Sequence, residues 1–196
     1  MLTSGTLERY VRRAVGDGAH LEPDDLRAGD QEQHGVRRDD PQKLGQGRSA
    51  EALFFEIALD DLTRAADLFR PIFDRTNGVD GWVSLEVSPL LAYDTAGTIA
   101  AAKDLFARAG RPNLMIKIPG TKEGLPAIEE AIFAGIPINV TLLFSREHYF
   151  AAAEAFMRGI ERRLEAGLKP DVGSVASVFV SRWDARGQGH GARRAA

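Results

Sequence analysis

The sequence predicts an α/β fold built around a parallel sheet. Between residues 49 and 182, four short apolar runs alternate with longer segments whose apolar residues recur at helical spacing. This alternation indicates βα units, because neighbouring parallel strands need a crossover connection, usually a helix. A doubly wound sheet and a (β/α) barrel would both produce such a pattern. No Gly-x-Gly-x-x-Gly follows any of the four runs, which weakens the dinucleotide-binding version of the open sheet.

A polar side chain lies within each predicted strand, and this favours the barrel. The residues are Glu86, Lys117, Asn139 with Thr141, and Ser177. A closed barrel gathers such residues at its C-terminal mouth. In an open sheet they would more often be buried polar groups without partners, which are costly. We therefore predict a (β/α) barrel type of fold.

The elements follow one another from residue 49 onward. Strands are predicted at 82–87, 114–118, 136–144 and 174–180. One helix is predicted before the first strand and one between each pair of strands, the third of the four helices at about 125–133. The other three each have a predicted N-cap and a predicted C-terminal stop. The predicted caps are Ser49, Asp94 and Ser145, and the predicted stops are Asn77-Gly78, Gly110 and Gly167.

The rest of the chain is less regular. Residues 1–13 can form a short helix capped by Ser4. Residues 14–48 are rich in Asp, Gln, Arg, Gly and His, show neither strand nor helix period, and predict a disordered or lid-like segment. The tail at 185–196 has a similar composition.

Composition narrows the class of protein. The chain has 196 residues, enough for one sizeable core or for a piece of a larger barrel. A net charge of −3 argues against nucleic-acid and membrane-surface partners. The absence of cysteine excludes disulfides and thiolate chemistry, and we expect a cytoplasmic location. The four histidines show no metal-ligand spacing, so no metal site is predicted.

One lysine interrupts the most apolar strand, Leu-Met-Ile-Lys-Ile at 114–118. A buried ammonium is costly unless it is paired or gives up its proton. A neutral lysine amine is a nucleophile that forms a Schiff base with carbonyl substrates. The alternative is a lysine near a strand end whose ammonium reaches solvent. The strand alone leaves both interpretations of Lys117 open.

Three motifs together resemble the transaldolase family, in its longer bacterial branch found in actinobacteria. They are Val-Ser-Leu-Glu-Val-Ser-Pro at 83–89, Met-Ile-Lys-Ile-Pro-Gly-Thr at 115–121 and Ile-Asn-Val-Thr-Leu-Leu-Phe-Ser at 138–145. The resemblance covers 49–184, and weakly 1–13. It implies a (β/α)8 barrel of the TIM type, with about strands 3–6 in this chain. The implied reaction, from the pentose phosphate pathway, transfers a dihydroxyacetone unit from sedoheptulose 7-phosphate to glyceraldehyde 3-phosphate.

The resemblance also implies catalytic roles. Lys117 would form the Schiff base with the ketone, with no cofactor or metal. Glu86 and Thr141 would hold the water that relays protons as the imine forms. An alternative for Glu86 is a structural ion pair with Lys117.

Three further residues match substrate-binding positions of the family. Asn139 would hydrogen-bond the dihydroxyacetone hydroxyls, and Ser177 and Arg182 match the sixth-strand motif. Arg182 would bind the sugar phosphate as a bidentate donor, or would be a solvated charge at a strand end. Sugar phosphates are thus the expected partners, and the oligomeric state is left open.

The chain departs from the family before residue 49. The family's first-strand aspartate and its second-strand Thr-Ser-Asn-Pro-Thr do not occur, and 14–48 occupies the place of that second strand. A GC-rich coding of Thr-Ser-Asn-Pro-Thr-Ile-Phe, shifted by one base, encodes His-Leu-Glu-Pro-Asp-Asp-Leu, the sequence of residues 20–26. We infer that about 15–48 is an out-of-frame reading, with the frame restored near Ser49. The tail after Asp184 is interpreted in the same way.

These departures leave alternatives to an active transaldolase. The chain as written is expected to be inactive, because a catalytic aspartate is missing. Another Schiff-base aldolase on the same barrel is a second reading. A third is a non-catalytic barrel fragment whose open sheet edges bind a partner or aggregate.

Overall fold

A computed structural model describes residues 49–179 of the chain. They form two compact units: residues 49–83 with Arg111–Asn113, and Ser84–Gly110 with 114–179. The predictions for 1–13, 14–48 and 185–196 concern residues outside the described range.

The first unit is built on helix α1, Ala50–Arg75. The Ser49 hydroxyl caps it as predicted, accepting a hydrogen bond from the Ala52 amide at 3.2 Å. The predicted stop is also confirmed, because Asn77 and Gly78 both have the positive φ that ends a helix. In the same unit, the buried Asn113 amide donates to two backbone carbonyls of this segment, those of Ala66 and Gly81.

The second unit contains a four-stranded sheet, which confirms the predicted α/β class. Its strands are β1 (Val83–Glu86, whose first residue is counted in the first unit), β2 (Leu114–Pro119), β3 (Ile138–Leu143) and β4 (Ser174–Val178), in the order β1-β2-β3-β4. The pairs β2–β3 and β3–β4 are parallel, as predicted. On the other side of β2, the Val87 amide donates to the Lys117 carbonyl at 3.1 Å.

Helices connect the strands in chain order. They are α2 (Thr95–Ala109), α3 (Gly124–Phe133) and α4 (Arg146–Glu165), and a short 3₁₀ helix spans Pro89–Leu91. The two predicted N-caps of this unit are confirmed: the Asp94 carboxylate accepts from the Gly97 amide, and the Ser145 hydroxyl accepts from the His148 amide. Gly110 and Gly167, the predicted stops, have φ of 56° and 70°.

The core lies between the sheet and the helices that pack on it. Alternate residues of the strands are completely buried there, because successive side chains in a strand point to opposite faces. They are Leu114, Ile116, Ile118 and Ile138. Helices α3 and α4 approach closely at Gly159, where an added Cβ would lie only 2.7 Å from the Cβ of Ile132.

A network of charges joins α3 to its neighbours. Arg162 donates to Glu129 at 3.1 Å and to Glu130 at 3.0 Å. Arg158 also donates to Glu129, and Lys103 to Glu130. The pKa of the Glu129 carboxyl is lowered mainly by the Arg158 hydrogen bond, and that of Glu130 mainly by the Lys103 hydrogen bond. Both carboxylates are therefore held in the charged form.

Strand ends differ from prediction by one or two residues, for identifiable reasons. Trp82 lies outside β1, since its indole donates to the Gly78 carbonyl and its ring packs edge-on against Phe73. Strand β3 begins after Pro137, which has no amide proton to add to the sheet. It ends one residue early, after a bulge at which Leu142 has φ 58°.

Within residues 49–179, no helix combines the length and apolar character needed to cross a bilayer.

Candidate active site

The lysine of β2 is paired rather than fully buried. Lys117 lies between the buried Ile116 and Ile118, but its own side chain is 25% exposed. Its Nζ is 3.0 Å from Oε2 of Glu86 on β1. The prediction of a buried apolar strand is thus confirmed except at the lysine, whose amine reaches the surface of the sheet. The contact is the ion pair that a structural role for Glu86 requires, and it also places a carboxylate beside the amine.

The candidate residues share the sheet face opposite the helices. Side chains alternate along a strand, so Ser84 and Glu86 of β1 point to the same face, opposite the buried Leu85. Lys117 and Asn139 are paired in register on β2 and β3. In-register neighbours of a parallel pair project to the same side, which places the lysine and the asparagine next to each other.

Asn139 is held by serines on two other strands. Its Oδ1 accepts a hydrogen bond from Ser177 Oγ of β4 at 2.7 Å. Its Nδ2 donates to Ser84 Oγ of β1 at 3.1 Å. Strands are about 4.8 Å apart, so β1 and β3 would be separated by roughly 10 Å in a flat sheet. Because the two side chains meet above β2, we infer that this face of the sheet curves inward, as the inner face of a barrel does.

Thr141 lies two residues further along β3 and is 1% exposed. Its hydroxyl has no hydrogen-bond partner within residues 49–179. A buried hydroxyl left unbonded costs about 1–3 kcal/mol. Its backbone carbonyl accepts from the Gly120 amide at 2.7 Å. The next residue, Leu142, has a positive φ, which is strained for a side chain of this size. Strain and unpaired polar groups cluster at functional sites, so both features mark this end of β3 as a candidate site.

Threonines fix the loops that follow β1 and β2. Thr121 donates to the Ala92 carbonyl at 2.7 Å and accepts from the Gly124 amide. Thr95 donates to the Glu123 carbonyl at 2.6 Å. These bonds connect the segment after β1 to the segment after β2, at the C-terminal end of the sheet. In α/β folds, functional residues gather at that end.

Five of the six predicted site residues lie in the described part of the chain, and the structure brings them to one face. Lys117 and Glu86 are in contact, Asn139 and Ser177 are in contact, and Thr141 follows on β3. Arg182 lies outside the described residues. Ser84 was missed by the sequence prediction. The signal that would have indicated it was its position two residues before Glu86 on the same strand.

No cluster of three or more metal-ligating side chains occurs within residues 49–179. Among the candidate residues in the described part of the chain, the charged groups are the Lys117 amine and the Glu86 carboxylate. A paired amine beside amide and hydroxyl groups can attack a carbonyl carbon and hydrogen-bond the hydroxyls of a bound polyol.

Comparison with known proteins gives one family. The sequence profile described as Transaldolase/Fructose-6-phosphate aldolase matches residues 29–195. The matched range includes 29–48 and 185–195, for which an out-of-frame origin is inferred above. That inference stays a prediction.

Curated relatives agree with the profile. The chain is 51% identical to the transaldolase of Thermobifida fusca over 140 residues, 71% of this chain and 38% of the relative. It is 42% identical to transaldolase 1 of Streptomyces avermitilis over 184 residues, 93% of this chain and 49% of the relative. With the transaldolase of Acidothermus cellulolyticus it shares 54% identity over 125 residues, 63% of this chain and 34% of the relative. The chain thus spans half or less of the length of these relatives.

Proposed function

Because this chain belongs to the transaldolase/fructose-6-phosphate aldolase family, we propose that Lys117 forms a Schiff base with ketose phosphates. The reaction to which this Schiff base belongs is transfer of a dihydroxyacetone unit from sedoheptulose 7-phosphate to glyceraldehyde 3-phosphate, and the chain as written is expected to form the imine without completing that transfer. The four-stranded sheet is consistent with part of the (β/α) barrel that the family implies. The cytoplasm is the proposed location, since a chain without cysteine fits a reducing compartment.

The observation that carries the proposal is the contact between the Lys117 amine and the Glu86 carboxylate. An ammonium is not a nucleophile, so the amine must lose a proton before it attacks. A carboxylate at 3.0 Å is within the reach of a general base. Glu86 is therefore proposed to have both a structural and a catalytic role. It pairs with the lysine in the free protein, and it accepts the lysine proton when a ketone binds.

The chemistry then proceeds on the lysine nitrogen. Nζ bonds to the ketone carbon, and the carbonyl oxygen takes up a proton and becomes the hydroxyl of a carbinolamine. A second proton transfer releases that oxygen as water and leaves an iminium ion. When the adjacent carbon–carbon bond breaks, a base takes the proton of the hydroxyl on the departing carbon, that fragment leaves as an aldehyde, and the iminium accepts the electron pair and becomes an enamine. Thr141, whose hydroxyl is unbonded within the described residues, is proposed to position the water that relays these protons with Glu86.

Substrate hydroxyls and phosphate need separate partners. Asn139 retains one amide proton and one lone pair beyond its two serine contacts, and these are proposed to bind the hydroxyls of the dihydroxyacetone unit. Ser177 holds the amide from β4. Arg182 is proposed to bind the phosphate, since a guanidinium matches phosphate oxygens with two parallel hydrogen bonds.

Borohydride trapping tests the proposal on the chain as it exists. Fructose 6-phosphate followed by borohydride should add the reduced sugar to the peptide that contains Lys117. Lys117→Met should abolish the adduct. Lys103→Met is the matched control, because Lys103 pairs with Glu130 away from the site, and it should leave the adduct unchanged.

The outcomes separate the competing readings. Absence of any adduct in the wild-type chain would favour the non-catalytic fragment. An adduct with cleavage of fructose 6-phosphate but no transfer to an aldose phosphate would indicate another Schiff-base aldolase. Adducts spread over many lysines would contradict the assignment to Lys117.

A further inference from the structure

Ser84 is the one hydroxyl on β1 that contacts the candidate substrate-binding amide. Its Oγ accepts the hydrogen bond from Asn139 Nδ2 at 3.1 Å, although the two residues lie on strands separated by β2. Ser177 bonds the opposite end of the same amide from β4 at 2.7 Å. The amide of Asn139 is thus held at its nitrogen by a residue of β1 and at its oxygen by a residue of β4.

Such a clamp has a definite physical effect. The terminal torsion of an asparagine is broad, so an amide with a single partner turns readily about its last bond. Two hydrogen bonds at opposite ends fix both its position and its plane. The group has two N–H donors and two acceptor lone pairs. With one of each used, one donor and one acceptor remain in fixed directions.

The clamped amide is adjacent to the proposed nucleophile. Asn139 is the register partner of Lys117, and Glu86, which pairs with the lysine, is two residues from Ser84 on β1. A ketone carbon bound at the lysine nitrogen has its hydroxyl-bearing neighbours one bond away, so we expect those hydroxyls to come within reach of the neighbouring amide. The geometry also explains the residue type at 84. Alanine would fit at this position but would lack the hydroxyl oxygen that accepts the hydrogen bond from Asn139.

We propose that Ser84 is a positioning residue, which acts through Asn139 and directs the free donor and acceptor of that amide toward the hydroxyls of a ketone bound at Lys117. The inference rests on the proposed function for its substrate, but the clamp itself is a property of the ligand-free protein. Loss of Ser84 should therefore weaken the binding of hydroxylated ketones and leave the reactivity of the amine unchanged.

The first measurement needs no ligand. The side-chain amide of Asn139, assigned by its loss in Asn139→Asp, is observed by ¹⁵N–¹H correlation spectroscopy. Ser84→Ala should shift its resonances and speed its proton exchange with water, whereas Ser84→Thr, which keeps the hydroxyl, should restore both. Ser174→Ala is the matched control, since that hydroxyl bonds the Ile138 carbonyl instead, and it should leave the Asn139 amide unchanged.

The second measurement compares two ketones by borohydride trapping. Ser84→Ala should raise the dihydroxyacetone concentration for half-maximal trapping by roughly threefold to tenfold, the range for one lost hydrogen bond. The concentration for acetone, which has no hydroxyls, should not change. Equal weakening of both ketones would mean a general structural defect and would overturn the proposal. An unchanged Asn139 amide in Ser84→Ala would overturn it too.

Failure of the proposed function is distinguishable from failure of this inference. If the wild-type chain forms no adduct with any ketone, the Schiff-base proposal fails, and the Asn139 amide spectrum alone decides whether Ser84 clamps it. If Ser84→Ala does not fold, Ser84→Cys, which has a slightly larger side chain and a much weaker acceptor, takes its place in both measurements.

Discussion

Lys117 and Glu86 form an ion pair across neighbouring strands, with Nζ and Oε2 separated by 3.0 Å. The lysine side chain is 25% exposed and the glutamate side chain 46% exposed. Ion pairs in contact with solvent contribute little to stability, about 0–1 kcal/mol. We therefore expect this pair to contribute little to the stability of the fold, and proton transfer at the amine is its proposed role.

Glu86→Gln separates these two effects. The amide keeps the size of the side chain but cannot accept the lysine proton, so imine trapping should slow by about 10²–10⁴-fold, the usual contribution of general acid–base catalysis. The free energy of unfolding should change by about 1 kcal/mol or less. Glu154→Gln, at an exposed position of α4, is the control. Trapping at an unaltered rate in Glu86→Gln would leave Glu86 with the structural role alone.

Thr141→Val tests whether the Thr141 hydroxyl, which has no hydrogen-bond partner within residues 49–179, has a function. The two side chains have nearly the same shape, and removal of a buried, unpaired hydroxyl should leave stability unchanged or raise it by about 1–3 kcal/mol. Imine formation should slow, because the proposed water would lose one of its partners.

Thr98 offers the matched control for this substitution. It is also 1% exposed, but its hydroxyl donates to the Leu91 carbonyl at 2.9 Å. Thr98→Val should therefore destabilise the protein without changing the trapping rate of correctly folded molecules. Urea denaturation and the trapping rate, measured on both variants, give the comparison. A destabilised Thr141→Val with a normal rate would argue against the proposed role.

Gly159→Ala should destabilise the packing of α3 on α4. Helix propensity alone would favour alanine by about 1 kcal/mol. Against this, the new Cβ would lie 2.7 Å from Ile132 and 2.8 Å from the Glu129 carbonyl oxygen. Backbone cannot move aside cheaply, and overpacking of this kind costs about 1–3 kcal/mol. We expect a lower midpoint of urea denaturation. Ala153→Gly, on the same helix, measures the difference in helix propensity between alanine and glycine. A Gly159→Ala protein that is more stable than wild type would refute the packing argument.

Stability should fall in acid through the Glu129 and Glu130 network. The folded-state pKa of each carboxyl lies below its ordinary value of 4.5, mainly because of hydrogen bonds from Arg158 and Lys103 respectively. A lowered pKa means that the stabilisation is fully present above about pH 4.5 and is lost as the pH falls through the folded-state value. Urea denaturation from pH 7 to pH 3 checks this. The double variant Glu129→Gln/Glu130→Gln should show a flatter profile over the same interval, and an equally steep one would place the acid sensitivity elsewhere.

Local chemistry was predicted from the sequence almost without error. Ser49, Asp94 and Ser145 all cap helices with the expected hydrogen bonds, because a cap depends on residues within one turn. The parallel pairing could be predicted from the alternation of strands and helices, because short connections between consecutive elements allow few topologies.

Long-range relationships were harder to predict. The bond between Ser84 and Asn139 joins strands that are not neighbours, so it depends on sheet curvature that no local pattern encodes. The positive φ of Leu142 contradicts the preference of leucine itself, and only the bulge in β3 explains it. Lys117 was placed on the correct strand, but its partial exposure depends on how the surrounding chain packs.

The strand order β1-β2-β3-β4 repeats the order of the chain, and this has a consequence for how the second unit loses its structure. Each strand packs mainly on the next strand and each helix mainly on the next helix, so contacts stay close along the chain, as in a repeat protein. Local opening can then begin at β4, the last strand within residues 49–179, and progress inward without first disrupting β2. Native-state hydrogen exchange should accordingly show a gradient of opening free energies, with the amides of Ile116 and Ile118 exchanging last and those of β4 exchanging early.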